Sequence, residues 1–109
     1  MLQEIKQEHW TDGNGNPAGG VTFGTGFCIS WQNGPLGKPD DPDRKEPNGA
    51  FVEGIIQAAI GRLEFYQGGK FWCQENADAL VYLQAALSGL RARTKRRVQA
   101  NTEGSHEGN

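Results

Sequence analysis

The run from Cys73 to Arg97, CQENADALVYLQAALSGLRARTKRR, limits the fold more than any other stretch. It contains no proline, and Gly89 is its one strongly helix-weakening residue, at about 1 kcal/mol relative to alanine. Stepping about 100° per residue puts Leu80, Leu83, Leu87 and Leu90 on a single stripe, the pattern of an amphipathic helix. Asn76 and Thr94 extend that stripe at either end, where the core stops or where a ligand is touched; both readings stay open. The final turns, RARTKRR, hold five of the chain's eleven basic residues, where cations complement the negative end of the helix dipole. The dipole does not account for Arg93, Arg96 and Arg97 gathering on one side beside the apolar stripe.

A helix of this kind needs something to cover its apolar face. The 109 residues are read as a single domain: a β and loop region over 1–48, a helical hairpin over 49–100 and a tail over 101–109. With 36% hydrophobic residues and 16 glycines the core is thin, so self-association is expected. No apolar run approaches the roughly 20 residues that span a bilayer. The start MLQEIKQEH lacks the basic end and apolar centre of a signal peptide, so the expected location is the cytoplasm where the chain is made. Cys28 and Cys73 fit reduced thiols, and no CxxC spacing points to zinc; neither a metal nor another cofactor is expected. A net charge of −2 gives no global attraction to nucleic acid, so anion binding must be local to the arginine cluster.

In chain order, a short strand is expected around Leu2 to Ile5, followed by a loop over 11–20, TDGNGNPAGG. Val21, Phe23, Phe27, Ile29 and Trp31 alternate with small or polar residues, the period of a half-buried strand bent at Gly24 and Gly26. GTGF is no dinucleotide fingerprint, since no GxGxxG enters a helix here. Residues 33–49 hold four of the five prolines. Their cluster Asp40, Asp41, Asp43 and Glu46 lacks the glycine and terminal glutamate of a calcium loop and reads as a solvated charged loop. Asn48 then reads as the cap of a helix from Phe51 to Tyr66 with an apolar face of Phe51, Val52, Ile55, Ile56, Ala59 and Leu63. Gly54, Ala58 and Gly61 form a smooth strip for close approach of another helix, within the chain or across an interface. Gln67-Gly68-Gly69 ends that helix, and the short link to Cys73 makes the pair an antiparallel hairpin. The fold class is therefore α+β, a short antiparallel β region followed by a two-helix hairpin packing in a homo-oligomer.

GFCISWQNGPLG, RKEPNGAFVEGIIQAAIGRLEFYQ, KFWCQENADAL, RTKRR and TEGSH, in that order, resemble the first family of phage Thoeris anti-defence proteins over residues 15–107. The resemblance implies a cyclic-nucleotide sponge acting in the host bacterial cytoplasm. Such a protein sequesters glycocyclic ADP-ribose made by TIR-domain proteins, in some members with cyclic di- or trinucleotides at other sites. A related helical hairpin is implied in the phage sponge that blocks CBASS immunity. Carried over by position, the aromatic before the helix-ending Gln falls on Tyr66, the Asn of ENA on Asn76, and the arginines of RTxxR on Arg93 and Arg97. The family's GVEGTH tail reads NTEGSH here, placing a second nucleotide site at Glu103, Gly104, Ser105 and His106 with its first Gly and its Val replaced. The resemblance also implies a homodimer assembling to a hexamer.

The residue types fit without the name. A pyrophosphate, sugar hydroxyls and a purine call for guanidinium forks, an amide and an aromatic face. Asn76 and Arg93 lie 17 residues apart on one helix, about 25 Å at 1.5 Å per residue. One small ligand reaches both only if two chains pack antiparallel, which makes a two-fold dimer with two composite sites the expected assembly. Tyr66 also reads as a rim aromatic, and Arg93 and Arg97 as solvated helix-end cations. Two other classes remain: a small phage structural or interaction protein, and a helical oligomer binding nucleic acid through RARTKRR. Acidity and the lack of a recognition-helix motif disfavour the nucleic-acid reading. An enzyme is not expected, because His9 and His106 are the only histidines and no HExxH or GxSxG motif occurs.

Overall fold

The computed structural model describes residues 3–108. Its elements run β1 (Lys6–Thr11), β2 (Pro17–Gly24), β3 (Phe27–Ser30), α1 (Val52–Gln67) and α2 (Gln74–Gln99). The expected α+β class is found: a three-stranded antiparallel sheet in the order β1-β2-β3, then two helices. The chain forms two compact units, one comprising the region through Phe51 together with the chain from Arg97 onward, the other running from Val52 to Arg96.

In the first unit, the β1–β2 turn is built by Asp12. Its carboxylate accepts the amides of Asn14 (2.8 Å) and Asn16 (3.0 Å), a side-chain mimic of a backbone turn. The strand expected around Leu2 to Ile5 lies later, at Lys6–Thr11, and Leu2 itself is outside the described residues. The expected loop over 11–20 shrinks to 12–16, because Gly19 and Gly20 belong to β2, where both are buried. A Cβ on Gly20 would collide with the Glu8 carbonyl of β1, so this glycine serves close strand approach and not a turn.

The alternating run from Val21 to Trp31 is not one bent strand. It reverses at Thr25-Gly26, with Gly26 at φ 86°, and Val21 pairs with Ser30 across the resulting hairpin. Its burial also departs from the simple alternation. Thr22 is only 6% exposed, whereas Phe23 and Phe27 face solvent. The reason lies in Trp31, whose indole N–H donates to Thr22 Oγ1 at 2.8 Å and holds the hydroxyl at the edge of the ring.

Beyond β3, Ala50 donates to the Ser30 carbonyl (2.8 Å) and accepts from Gln32 (3.0 Å), forming a parallel bridge opposite Trp31. Asn48 is not the helix cap. Its Oδ1 accepts from the Asn33 amide (2.8 Å), its Nδ2 donates to the Asn33 carbonyl (2.9 Å), and its own amide donates to Gln32 Oε1 (2.8 Å). With those groups committed, and α1 starting only at Val52, the amide pins the proline-rich loop instead.

In the second unit, α1 buries Ile60 and α2 buries Leu87. Along α2 the positions Asn76, Leu80, Leu83, Leu87, Leu90 and Thr94 are all buried or half-buried, so the stripe read from the sequence is the covered face. In α1 the face centres on Ile60, with Ile55, Ile56 and Leu63 half-buried and Val52 and Ala59 exposed; Phe51, expected on this face, precedes the helix and is exposed. The helices are antiparallel: residues 68–73 join one end, and Arg93 meets Glu53 at the other. Among the described residues nothing outside the helix lies within 4 Å of a Cβ built on Gly54 or Gly61, so these two positions of the small-residue strip face open space. Among the described residues no helix is long and apolar enough to cross a membrane.

Candidate functional site

Where α1 hands over to α2, one side chain closes the link. Gln67 Nε2 donates to the Cys73 carbonyl and Gln67 Oε1 accepts the Cys73 amide, both at 3.1 Å. That closure sets an aromatic group at the end of the hairpin. The Tyr66 ring meets Phe65 at 6.1 Å and Phe71 at 6.3 Å between centroids, both in edge arrangements. Asn76 joins it from the first turns of α2, its Nδ2 donating to the Phe71 carbonyl at 3.4 Å. Two residues singled out by the sequence, Tyr66 and Asn76, are thus linked through Phe71, while the Phe71 and Phe65 rings stay about two-thirds exposed.

Arg93 sits at the other end of the hairpin. Its Nη2 lies 3.1 Å from Glu53 Oε1, a pair open enough to solvent to be worth well under about 1 kcal/mol. Because α2 is unbroken from Gln74 to Gln99, Asn76 and Arg93 stand about 25 Å apart by helical rise, and one chain does not bring them together.

Arg97 belongs to the first unit and serves the tail there. Its guanidinium donates to the carbonyls of Glu107 (2.9 Å), Thr102 (2.8 Å) and Ser105 (3.2 Å). The tail is also pinned to the loop over 36–44. Gly37 donates to the Gly104 carbonyl (2.8 Å), Arg44 pairs with Glu103, Lys38 pairs with Glu107 (2.8 Å) and Asn101 Nδ2 donates to Asp40 (2.9 Å). His106 Nδ1 lies 4.0 Å from Asp12. The residues Glu103, Gly104, Ser105 and His106 therefore form a folded, hydrogen-bonded turn. The two backbone amides on Asp12, that of Asn16 foremost, hold its carboxyl below the ordinary value. The contact with Glu107 raises Lys38.

The first unit also carries an open groove between Trp10 and Trp31, floored by Gly19 and Gly20 and rimmed by Asn33 and Asn48. Among the described residues no group of three His, Cys, Asp or Glu could hold a metal ion. Sequence reasoning missed Arg62, whose guanidinium lies on Tyr66, and Glu53 opposite Arg93. The first was signalled by its i,i+4 spacing from the tyrosine; the second needed the hairpin register.

No family model matches the chain. It is similar to a curated protein, Thoeris anti-defense 1 of Bacillus phage SBSphiJ7, with 43% identity over 60 residues. The match covers 55% of this chain and 42% of that protein, so the chain spans less than half the length of the relative it matches. The resemblance to the Thoeris anti-defence proteins read from the sequence blocks is borne out by this relative.

Proposed function

We propose that the chain is a phage anti-defence protein acting in the host bacterial cytoplasm as a sponge. It binds glycocyclic ADP-ribose made by TIR proteins and does not cleave it. The likeness to Thoeris anti-defense 1 carries the reading. The hairpin adds chemical support: an aromatic group with an amide at one end and a guanidinium at the other match a purine, sugar hydroxyls and a pyrophosphate. Because Asn76 and Arg93 occupy opposite ends of the hairpin, the composite site forms in an antiparallel homodimer, and the resemblance to the anti-defence family implies further assembly to a hexamer. Arg97 contributes by fixing the tail, where cyclic di- or trinucleotides are the second ligand class, against Glu103, Gly104, Ser105 and His106.

Arginines do not deprotonate, and an amide with a phenol offers no activated nucleophile, so the site binds without turnover. Calorimetry with glycocyclic ADP-ribose and with linear ADP-ribose tests the reading. Tight binding of the closed ring alone is expected, since a rigid ligand has less freedom to lose. Equal or absent binding of both sinks it. Ligand released by heat should be chemically unchanged on chromatography, and a cleaved product that grows with time would make the protein an enzyme.

A further inference from the structure

The Tyr66 ring is accompanied by a cation that none of the above uses. Arg62, one turn earlier on α1, places its guanidinium carbon 4.9 Å from the Tyr66 centroid and 5.0 Å from that of Phe65. The i,i+3 and i,i+4 spacings put both rings on the arginine's side of the helix. The contact is also directional, because Arg62 Nε donates to Tyr66 Oη at 3.1 Å. A cation lying over a ring leaves the ring free to slide; a hydrogen bond to its hydroxyl leaves it free to tilt. Together the two contacts fix the angle of the ring and the direction of the phenol.

We infer that Arg62 is the positioning residue of the aromatic platform, acting on ligand affinity through Tyr66 and without touching the ligand itself. The inference rests on the sponge reading for its functional consequence, but its structural half stands alone. Arg62 is exposed on the helix, so its replacement removes no core packing. What changes is how many orientations Tyr66 samples before a base arrives, and ordering a mobile aromatic on binding costs affinity. A planar fork suits this task better than an ammonium, because one guanidinium can lie against a ring and still aim Nε along the ring's hydroxyl.

Two measurements separate the inference from the reading beneath it. In the free protein, side-chain NMR of Tyr66 should show one dominant χ1 rotamer in wild type and averaged couplings in Arg62→Ala. Unchanged couplings overturn the positioning role whatever the ligand does. In calorimetry with glycocyclic ADP-ribose, Arg62→Ala should bind about tenfold more weakly with its melting temperature unchanged, and Arg62→Lys should recover part of the loss. In a Tyr66→Phe background, which keeps the ring and removes the phenol, the loss on Arg62→Ala should shrink to about threefold. A tenfold loss that persists there means that the bond to the phenol does nothing for affinity and overturns the inference, as does wild-type affinity in Arg62→Ala. Wild-type protein that binds no glycocyclic ADP-ribose while Arg62→Ala frees the Tyr66 ring removes the sponge reading and leaves the positioning role intact.

Discussion

At the scale of single residues, polar groups decide what the hydrophobic pattern alone gets wrong. Thr22 occupies a buried position beside two exposed phenylalanines because its hydroxyl is the acceptor for Trp31. Thr22→Val keeps the shape and leaves the indole N–H without a partner, which should lower unfolding free energy by about 1–2 kcal/mol. Urea denaturation followed by tryptophan fluorescence measures it, and an unchanged midpoint would show that water replaces the hydroxyl. Asn48 teaches the same lesson from the other side. Its residue type suits a helix cap and equally suits a loop clamp, and only the partners at Gln32 and Asn33, some 15 residues earlier, select the clamp. Such pairings are invisible to local pattern.

At the scale of elements, α2 was legible nearly to the residue, since its leucine stripe is also its covered face. The sheet was less so. Glycine punctuates turns and permits close strands alike, so the stretch before Val21 read as loop although its last four residues belong to β2. The tail shows the turn role in full: Gly104 has φ 79°, and a Cβ there would overlap the Gly37 carbonyl oxygen. Gly104→Ala should unseat the tail at a cost of about 1–3 kcal/mol, seen as faster hydrogen exchange of the Gly37 and Lys45 amides while α2 is unaffected.

The pH response of the same unit has two ends. Asp12 is held below 3.8 in the folded chain, so its contribution is present above 3.8 and is lost as pH falls through the lower folded value. The Asn14 and Asn16 amide resonances should accordingly titrate with a midpoint under 3.8, and not at all in Asp12→Asn. Lys38 is raised above 10.5, so its tie to Glu107 is complete below 10.5 and fades as pH climbs through the higher value. Tail resonances that stay constant beyond that point would argue against the tie.

At the scale of the whole molecule, the α+β class and the helical hairpin could be read from periodicity and short links, and the site in part. Tyr66 and Asn76 meet through Phe71 as the compact link allows, whereas Arg97's role in holding the tail depended on where residues 102–107 fold back. The separation of Asn76 from Arg93 along one unbroken helix carries the assembly prediction. Arg93→Ala and Asn76→Ala should each abolish binding of glycocyclic ADP-ribose. An isolated heterodimer of the two variants should bind at half the wild-type stoichiometry, because one composite site receives both intact side chains. A heterodimer that binds nothing contradicts the arrangement.

The position of β1 has a consequence for keeping such a protein in solution. It lies at one margin of the sheet with all six residues exposed, whereas at the other margin the chain around Ala50 folds against Trp31 and takes up part of the free edge. The outer peptide groups of β1 are a template on which a foreign strand could add itself, the first step toward fibrous aggregates. Lys6 and Glu8 stand on that strand two residues apart, on one face of the pleat. An incoming strand would have to strip water from both charges. These residues act as gatekeepers against misassembly of the sheet edge.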